Sequence, residues 1–319
     1  MHPTAFLLFA ILFLACSGAG SESQLADPSQ SSFEATTPFG EPIKKILGIT
    51  EDGKFDMMKW NLILDRDPKN STPTTFKLNY EYGIPKQGTR GFMDGSKKVE
   101  LTGNWKFEKG IATKRAATVI TLIIPNSTLS ISFLQADENI LHLLDDNKQL
   151  LVGSAAWSYT LNRKDPIHEN KFIPVPILTS KISTNTDTIG IFEGRTPCNR
   201  DLTAINDILL DGCQVVKCQL ILLQDVQTHS PSSFILRTIY VGKGDNIYNI
   251  TGKWKMMKRA ANDPTAIIYR LTPDFNKSNA QFLLLKGDDN ILFFVDNDGR
   301  LLVGNSYCSY TLNRKKITR

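Results

Sequence analysis

The sequence predicts a mainly β protein built from two tandem small antiparallel β-barrels of seven or eight strands each. Three observations carry this: a long internal repeat, a period-two alternation of apolar and polar residues within each copy, and clusters of Gly, Asn, Asp and Pro between the short runs. The repeat fixes the domain count. FEATTP at 33–38 recurs as FEGRTP at 192–197, and Leu62, Asp67, Pro73, Phe76 and Leu78 recur as Leu220, Asp225, Pro231, Phe234 and Leu236 at a constant spacing of 158. LTGNW ending at Trp105 recurs as ITGKW ending at Trp254, and LLVGSAAWSYTLNR ending at Arg163 as LLVGNSYCSYTLNR ending at Arg314. The expected organisation is a signal peptide over 1–20, a first barrel over 31–163, a linker over 164–188 containing Pro166, Pro174 and Pro176, and a second barrel over 189–314. Each half carries a full strand set, so each, cut near residues 165–188, is expected to fold on its own as a monomer.

In the first copy the alternation predicts strands over 57–66, 74–82, 97–107, 116–124, 128–134, 138–144 and 155–162, with a short one at 149–152. Closing such a meander removes exposed strand edges. One short helix is expected ahead of each barrel. In the second copy Thr196 reads as the N-cap and Pro197 as the first helical residue, with Leu202, Ile205, Ile208 and Leu209 on one face; in the first, Thr37 and Pro38 precede Ile43, Ile46 and Leu47.

Residues 5–15, AFLLFAILFLA, form an apolar run too short to span a bilayer comfortably and followed by small residues, the pattern of a signal peptide. Cys16 stands directly after this run, as in a bacterial lipobox, which predicts a lipid-anchored cell-envelope protein facing the periplasm or the exterior. Cleavage near Ala19 or Gly20 would give a secreted protein instead. The formal charge of +5 is spread along the chain without a basic block, which argues against nucleic acid as a partner.

Four cysteines remain after Cys16, an even number in an exported chain, and all lie in the second copy. Cys218 and Cys308 stand where the first copy has Trp60 and Trp157, which predicts one spatial site crosslinked in one barrel and filled by packed rings in the other. Cys198 is then left to pair with Cys213. A functional alternative keeps Cys198 and Cys213 as thiolates, able to hold Cu(I) or to act in redox chemistry, because a helix N-terminus lowers a thiol pKa.

No catalytic constellation is legible. His142, His168 and His229 are far apart in sequence, and no hydrolase elbow, zinc-protease helix or phosphate loop is present. Asp296-Asn297-Asp298-Gly299 begins like a calcium loop, but Tyr307 stands where the closing Glu belongs, so it reads as a hairpin turn. Asp137-Glu138 and Asp288-Asp289 also fall at turns. Trp105 and Trp254 read as core anchors.

ITGKWK at 250–255, the leucines at 283–285 and NILFFVDNDGR at 290–300 resemble the strand pattern of the NlpE-like copper-homeostasis lipoproteins, here in tandem. The resemblance implies a small lipocalin-like barrel in an outer-membrane lipoprotein linked to copper tolerance and envelope stress, with a C-x-x-C site. Cys198 matches its first cysteine, but Asp201 stands at the second, and the first copy has Phe39 and Pro42 there. The expected function is therefore a non-enzymatic envelope binding or sensing protein whose ligand or partner protein the sequence does not name. It needs no cofactor unless copper binds. An envelope hydrolase or thiol-redox enzyme using Cys198 is the alternative.

Overall fold

The computed structural model describes residues 29–51, 53–170, 185–198, 212–244, 246–258, 265–274 and 281–316. The segment containing Cys16 and the predicted second helix with Leu202, Ile205, Ile208 and Leu209 lie outside the described residues.

The described chain forms two closed eight-stranded antiparallel barrels of the same topology. The first comprises β1 (Gln30–Pro38), β2 (Met57–Arg66), β3 (Pro73–Gly83), β4 (Lys97–Ile111), β5 (Lys114–Ile123), β6 (Ser130–Gln135), β7 (Ile140–Leu143) and β8 (Thr160–Arg163). The second comprises β9 (Thr186–Pro197), β10 (Val215–Asp225), β11 (Pro231–Val241), β12 (Tyr248–Lys258), β13 (Ile267–Pro273), β14 (Phe282–Lys286), β15 (Ile291–Val295) and β16 (Thr311–Arg314). Each closes where its first strand meets its last, Phe33 opposite Arg163 and Phe192 opposite Arg314.

The closing strands β1 and β9 correct the sequence reading, which placed Thr37-Pro38 and Thr196-Pro197 at helix starts. These residues end strands instead. The described helix, α1 (Glu41–Leu47), follows β1, is capped by Gly40, and buries Ile43, Ile46 and Leu47 in the first barrel's core. Residues 155–159 also differ from the reading. They form a loop, with Ser154 N–H donating to the Trp157 carbonyl (2.8 Å), and Leu150 makes only an isolated bridge to Leu144.

Alternation along the strands fills the barrels. Phe33, Trp60, Leu62, Leu64, Phe76 and Leu78 belong to one buried cluster, and Phe192, Leu220, Leu222, Phe234, Leu236 and Trp254 to its counterpart. The repeated Gly-x-Trp has a specific cause. A Cβ on Gly103 would strike the Ile123 carbonyl and one on Gly252 the Thr272 carbonyl, so only glycine lets the neighbouring strand approach. The tryptophan then reaches a β-bulge, where one residue is left out of the ladder. Trp105 Nε1–H donates to the carbonyl of Asp65 (2.8 Å) and Trp254 Nε1–H to that of Leu223 (2.7 Å), and each acceptor lies at a register shift. The two tryptophans are the predicted core anchors.

The longest repeat match, LLVG…SYTLNR, builds a joint between the barrels. Asn162 Oδ1 accepts the N–H of Gly304 (2.8 Å) and its Nδ2 donates to the Asn305 carbonyl (3.0 Å). Asn313 does the same in reverse, accepting from Gly153 (2.8 Å) and donating to the Ser154 carbonyl (3.2 Å). Ser158 Oγ lies 2.6 Å from Ser309 Oγ, and Thr160 Oγ1 lies 3.0 Å from Thr311 Oγ1. Ser158 and Thr160 thus meet their own repeat equivalents, and Asn162 and Asn313 make the same bonds to each other's loops, the signature of an isologous two-fold interface inside one chain. Around these bonds Val119, Leu134, Ile140, Leu144 and Leu150 pack with Ile268, Ile291, Phe293, Val295, Leu301 and Val303 in a third buried cluster. The start of the predicted linker belongs to this joint. Asn170 takes the N–H of Val303 (2.8 Å) and donates to its carbonyl (3.0 Å).

Candidate functional site

A concavity of about 580 Å³ lies against the first barrel. It is external to the barrel. Its floor is the outward face of β1 to β4, and its wall is the Ser306–Tyr307 loop of the second barrel together with Arg90. Trp60 and Tyr80 also border it, each between two outward residues of its strand, and both belong to the buried core cluster.

Register sets the floor in two rows. Glu34 stands opposite Asn61, Asn61 opposite Asn79, and Asn79 opposite Glu100; beside this row, Thr36 stands opposite Lys59, Lys59 opposite Glu81, and Glu81 opposite Lys98. Several members are held by the protein. Lys77 Nζ lies 2.9 Å from Glu100, Ser96 donates to Glu81 (2.7 Å), and Lys59 sits over the Phe92 ring. Among the described residues, the side chains of Glu34, Asn61, Asn79 and Lys98 have no hydrogen-bond or ion-pair partner. The wall is fixed, because Thr36 Oγ1–H donates to the Ser306 carbonyl (2.8 Å) and Arg90 lies over the Tyr307 ring (5.4 Å to its centroid).

The same face of the second barrel is wired internally. Glu193 accepts from Gln219 (2.6 Å) and pairs with Lys315 (3.0 Å), and Gln219 accepts from Arg237 (3.1 Å). Gln219 and Arg237 occupy the positions of Asn61 and Asn79, while Ile239 and Ile247 stand where the first barrel has Glu81 and Lys98.

The chain matches no family model, no curated protein and no solved structure. The resemblance to NlpE-like lipoproteins therefore rests on the quoted residues alone.

Cys198 and Cys213 form a disulfide with Cα atoms 5.9 Å apart. While that bridge stands, neither sulfur is a thiolate that could ligate copper. Among the described residues no group of three or more His, Cys, Asp or Glu is placed to hold a metal ion.

The predicted Cys218–Cys308 bridge is corrected: both thiols are free and buried. The prediction placed their two strands side by side, but β9 runs between β10, which carries Cys218, and β16, just ahead of which Cys308 sits. Burial pushes both thiols up to about 12, so they are protonated and poor nucleophiles. The Trp60–Trp157 packing is corrected for the same reason. Trp60 donates from Nε1 to Thr37 (2.9 Å) and lies beside Tyr80, whereas Trp157 lies against Tyr307 and Arg195 of the second barrel.

The histidines stay apart in role. His142 is fully buried at the joint, with Nε2 2.9 Å from the Leu151 carbonyl, Nδ1 2.9 Å from Thr160 Oγ1, and its ring edge-on to Phe293. A carbonyl only accepts, so Nε2 carries the proton and Nδ1 accepts from Thr160. Burial holds this imidazole down to about 4. His168 bonds to Asn139 (3.0 Å) and to the Leu301 carbonyl (3.3 Å), and His229 lies in a hairpin turn. The turn readings stand: Asp296 accepts the N–H of Arg300 and Asp288 that of Asn290. Sequence reasoning missed the groove. Its signal was present in the outward polar residues of β1 to β4, which only register gathers into rows.

Proposed function

We propose that the protein is an exported, lipid-tethered envelope protein that binds a ligand in the outer groove of its first barrel and turns nothing over. The observation that carries this is the set of unpartnered polar side chains in a preformed concavity of about 580 Å³, against an internally satisfied equivalent face on the second barrel. Exposed polar groups left free on a rigid sheet can be spent on a ligand without breaking internal bonds. The Cys198–Cys213 bridge supports export, since disulfides persist in oxidising compartments. Among the described residues no helix is long and apolar enough to cross a membrane. In this reading the tether is lipid on Cys16.

The test has two arms. Cys16→Ser should move the protein from membrane to soluble fractions, and unchanged fractionation rejects the tether. Asn61→Ala combined with Asn79→Ala should abolish retention of the protein on its native envelope material with the fold intact by circular dichroism; unaltered retention rejects the groove.

A second reading has a specific observation behind it: Cys198 and Cys213 are only half-buried, so reductant can reach their bridge. Once reduced, the pair would serve the thiol-redox or Cu(I) role that the NlpE-like resemblance implies. Stoichiometric Cu(I) uptake by the reduced protein, lost in Cys213→Ser, would favour this reading over the groove.

A further inference from the structure

We propose that the groove's ligand is a neutral oligosaccharide, an inference that rests on the groove being the binding site. Four features of the groove select this chemistry.

The first is charge. The lining carries Lys59, Arg90 and Lys98 against Glu34, Glu81 and Glu100, three of each sign, so it offers no net attraction to an anion or a cation. A phosphate, a nucleic acid or an acidic polymer would meet carboxylates at both ends of the Glu34–Asn61–Asn79–Glu100 row.

The second is the pairing of the strands that carry Asn61 and Asn79. Both barrels are closed, and β2 and β3, which carry Asn61 and Asn79, are paired on both sides, so main chain with a neighbour on one side only lies at the margins of the groove, over 35–38 of β1 and 97–103 of β4. A peptide that added a strand at either margin would leave Asn61 and Asn79 unused.

The third is the chemistry of the free row. Each carboxamide of Asn61 and Asn79 offers donors and an acceptor in one plane, Glu34 offers acceptors, and Lys98 donors. A hydroxyl both donates and accepts, so a run of vicinal hydroxyls satisfies such a row without bringing charge. Neighbouring strands lie about 5 Å apart, close to the width of one hexose ring.

The fourth is the wall. Tyr307 is held by Arg90 and by the Thr36–Ser306 bond at the groove's edge, a fixed aromatic surface against which the C–H groups of a sugar can pack. Glycoside cleavage does not follow, because hydrolysis needs two poised carboxyl groups. Glu100 is engaged by Lys77 and Glu81 by Ser96, which leaves Glu34 alone.

The experiment titrates the full-length exported protein with a panel of neutral oligosaccharides built from glucose, mannose, galactose and N-acetylglucosamine, followed by calorimetry and by ¹H–¹⁵N chemical-shift changes. The expected result is saturable binding of at least one member. Asn61→Ala, Asn79→Ala and Tyr307→Ala should each weaken it about tenfold, a loss of about 1.4 kcal/mol, and Gln219→Ala on the second barrel should leave it unchanged. Sulfated or phosphorylated versions of the bound glycan should bind no more tightly. Binding that is indifferent to Asn61 and Asn79 overturns the groove itself. No binding by any neutral glycan, while the same variants lose affinity for a peptide library or for anionic lipid vesicles, overturns the ligand class and leaves the groove standing.

Discussion

The two barrels share a topology, a bulge-and-tryptophan device and a joint, yet they differ at three places: the outer face of the first strands, the residue facing the two-fold axis, and the cysteines. The first barrel leaves Asn61 and Asn79 free where the second ties Gln219 and Arg237 into a chain with Glu193 and Lys315. At the axis His142 faces Phe293, its own repeat equivalent. The second barrel holds a disulfide and two buried thiols where the first holds none. Ser158, Thr160 and Asn162, which bond across the joint, have kept their identity across the repeat, whereas the axial His142/Phe293 position, the cysteine positions and the outward polar row have separated. Identity between the copies therefore marks the shared mechanical parts, and difference marks where the copies have taken different jobs.

The largest effect is expected on cutting the copies apart. A 29–170 fragment exposes the apolar side of the joint with its Ser158, Thr160 and Asn162. Since Ser158 and Thr160 meet their own equivalents in the intact chain and Asn162 makes bonds that Asn313 reciprocates, the fragment should self-associate into a dimer, read by sedimentation velocity, and Asn162→Ala should return it to monomer with lowered stability. A well-folded, strictly monomeric fragment would break the account of the joint.

Next comes pH. His142 is held neutral, with a folded pKa of about 4 against an ordinary value of 6.5. Below 6.5 the unfolded chain takes up a proton that the folded chain refuses, so stability is complete above that pH and falls as pH drops towards 4. The loss reaches about 3 kcal/mol at pH 4. His142→Phe, which copies Phe293, should flatten this part of the stability–pH curve; a curve identical to the parent's would show that another group carries the dependence.

Reduction should act on the second barrel. Cys198 and Cys213 are 15 residues apart, and opening such a loop costs about 3 kcal/mol in the chain-entropy view, less any strain relieved. Thermal unfolding with and without reductant measures this, and Cys198→Ser should abolish the reductant's effect.

The smallest effect concerns Cys218 and Cys308. Protonated and buried, neither should react with iodoacetamide in the native protein, and both should react after unfolding. Fast native labelling of either would restore a reactive-thiol reading.

Much of this architecture was legible in the sequence, and the omissions have physical causes. The tandem barrels, the strands β2 to β5, the Cys198–Cys213 pair and the core role of Trp105 and Trp254 follow from alternation, repeat spacing and cysteine parity. The closing strands were missed because their inward residues carry little apolar bulk: Phe33, Ala35 and Thr37 in β1, and Gly190, Phe192, Gly194 and Thr196 in β9. Their Thr-Pro ends also imitate a helix start. That omission misplaced the seam and produced the incorrect Cys218–Cys308 bridge. The groove depends on cross-strand register, which period-two alternation leaves open.

The joint has one further consequence, in mass action. A dimer of separate barrels would come apart on dilution, and any substitution at its axis would appear twice, so a histidine there would face a histidine. Carried on one chain, the second barrel stays within reach of the first at an effective concentration set by the linker and not by expression level. Each half can then accept a change that its partner does not share, and one groove can be shaped without its twin.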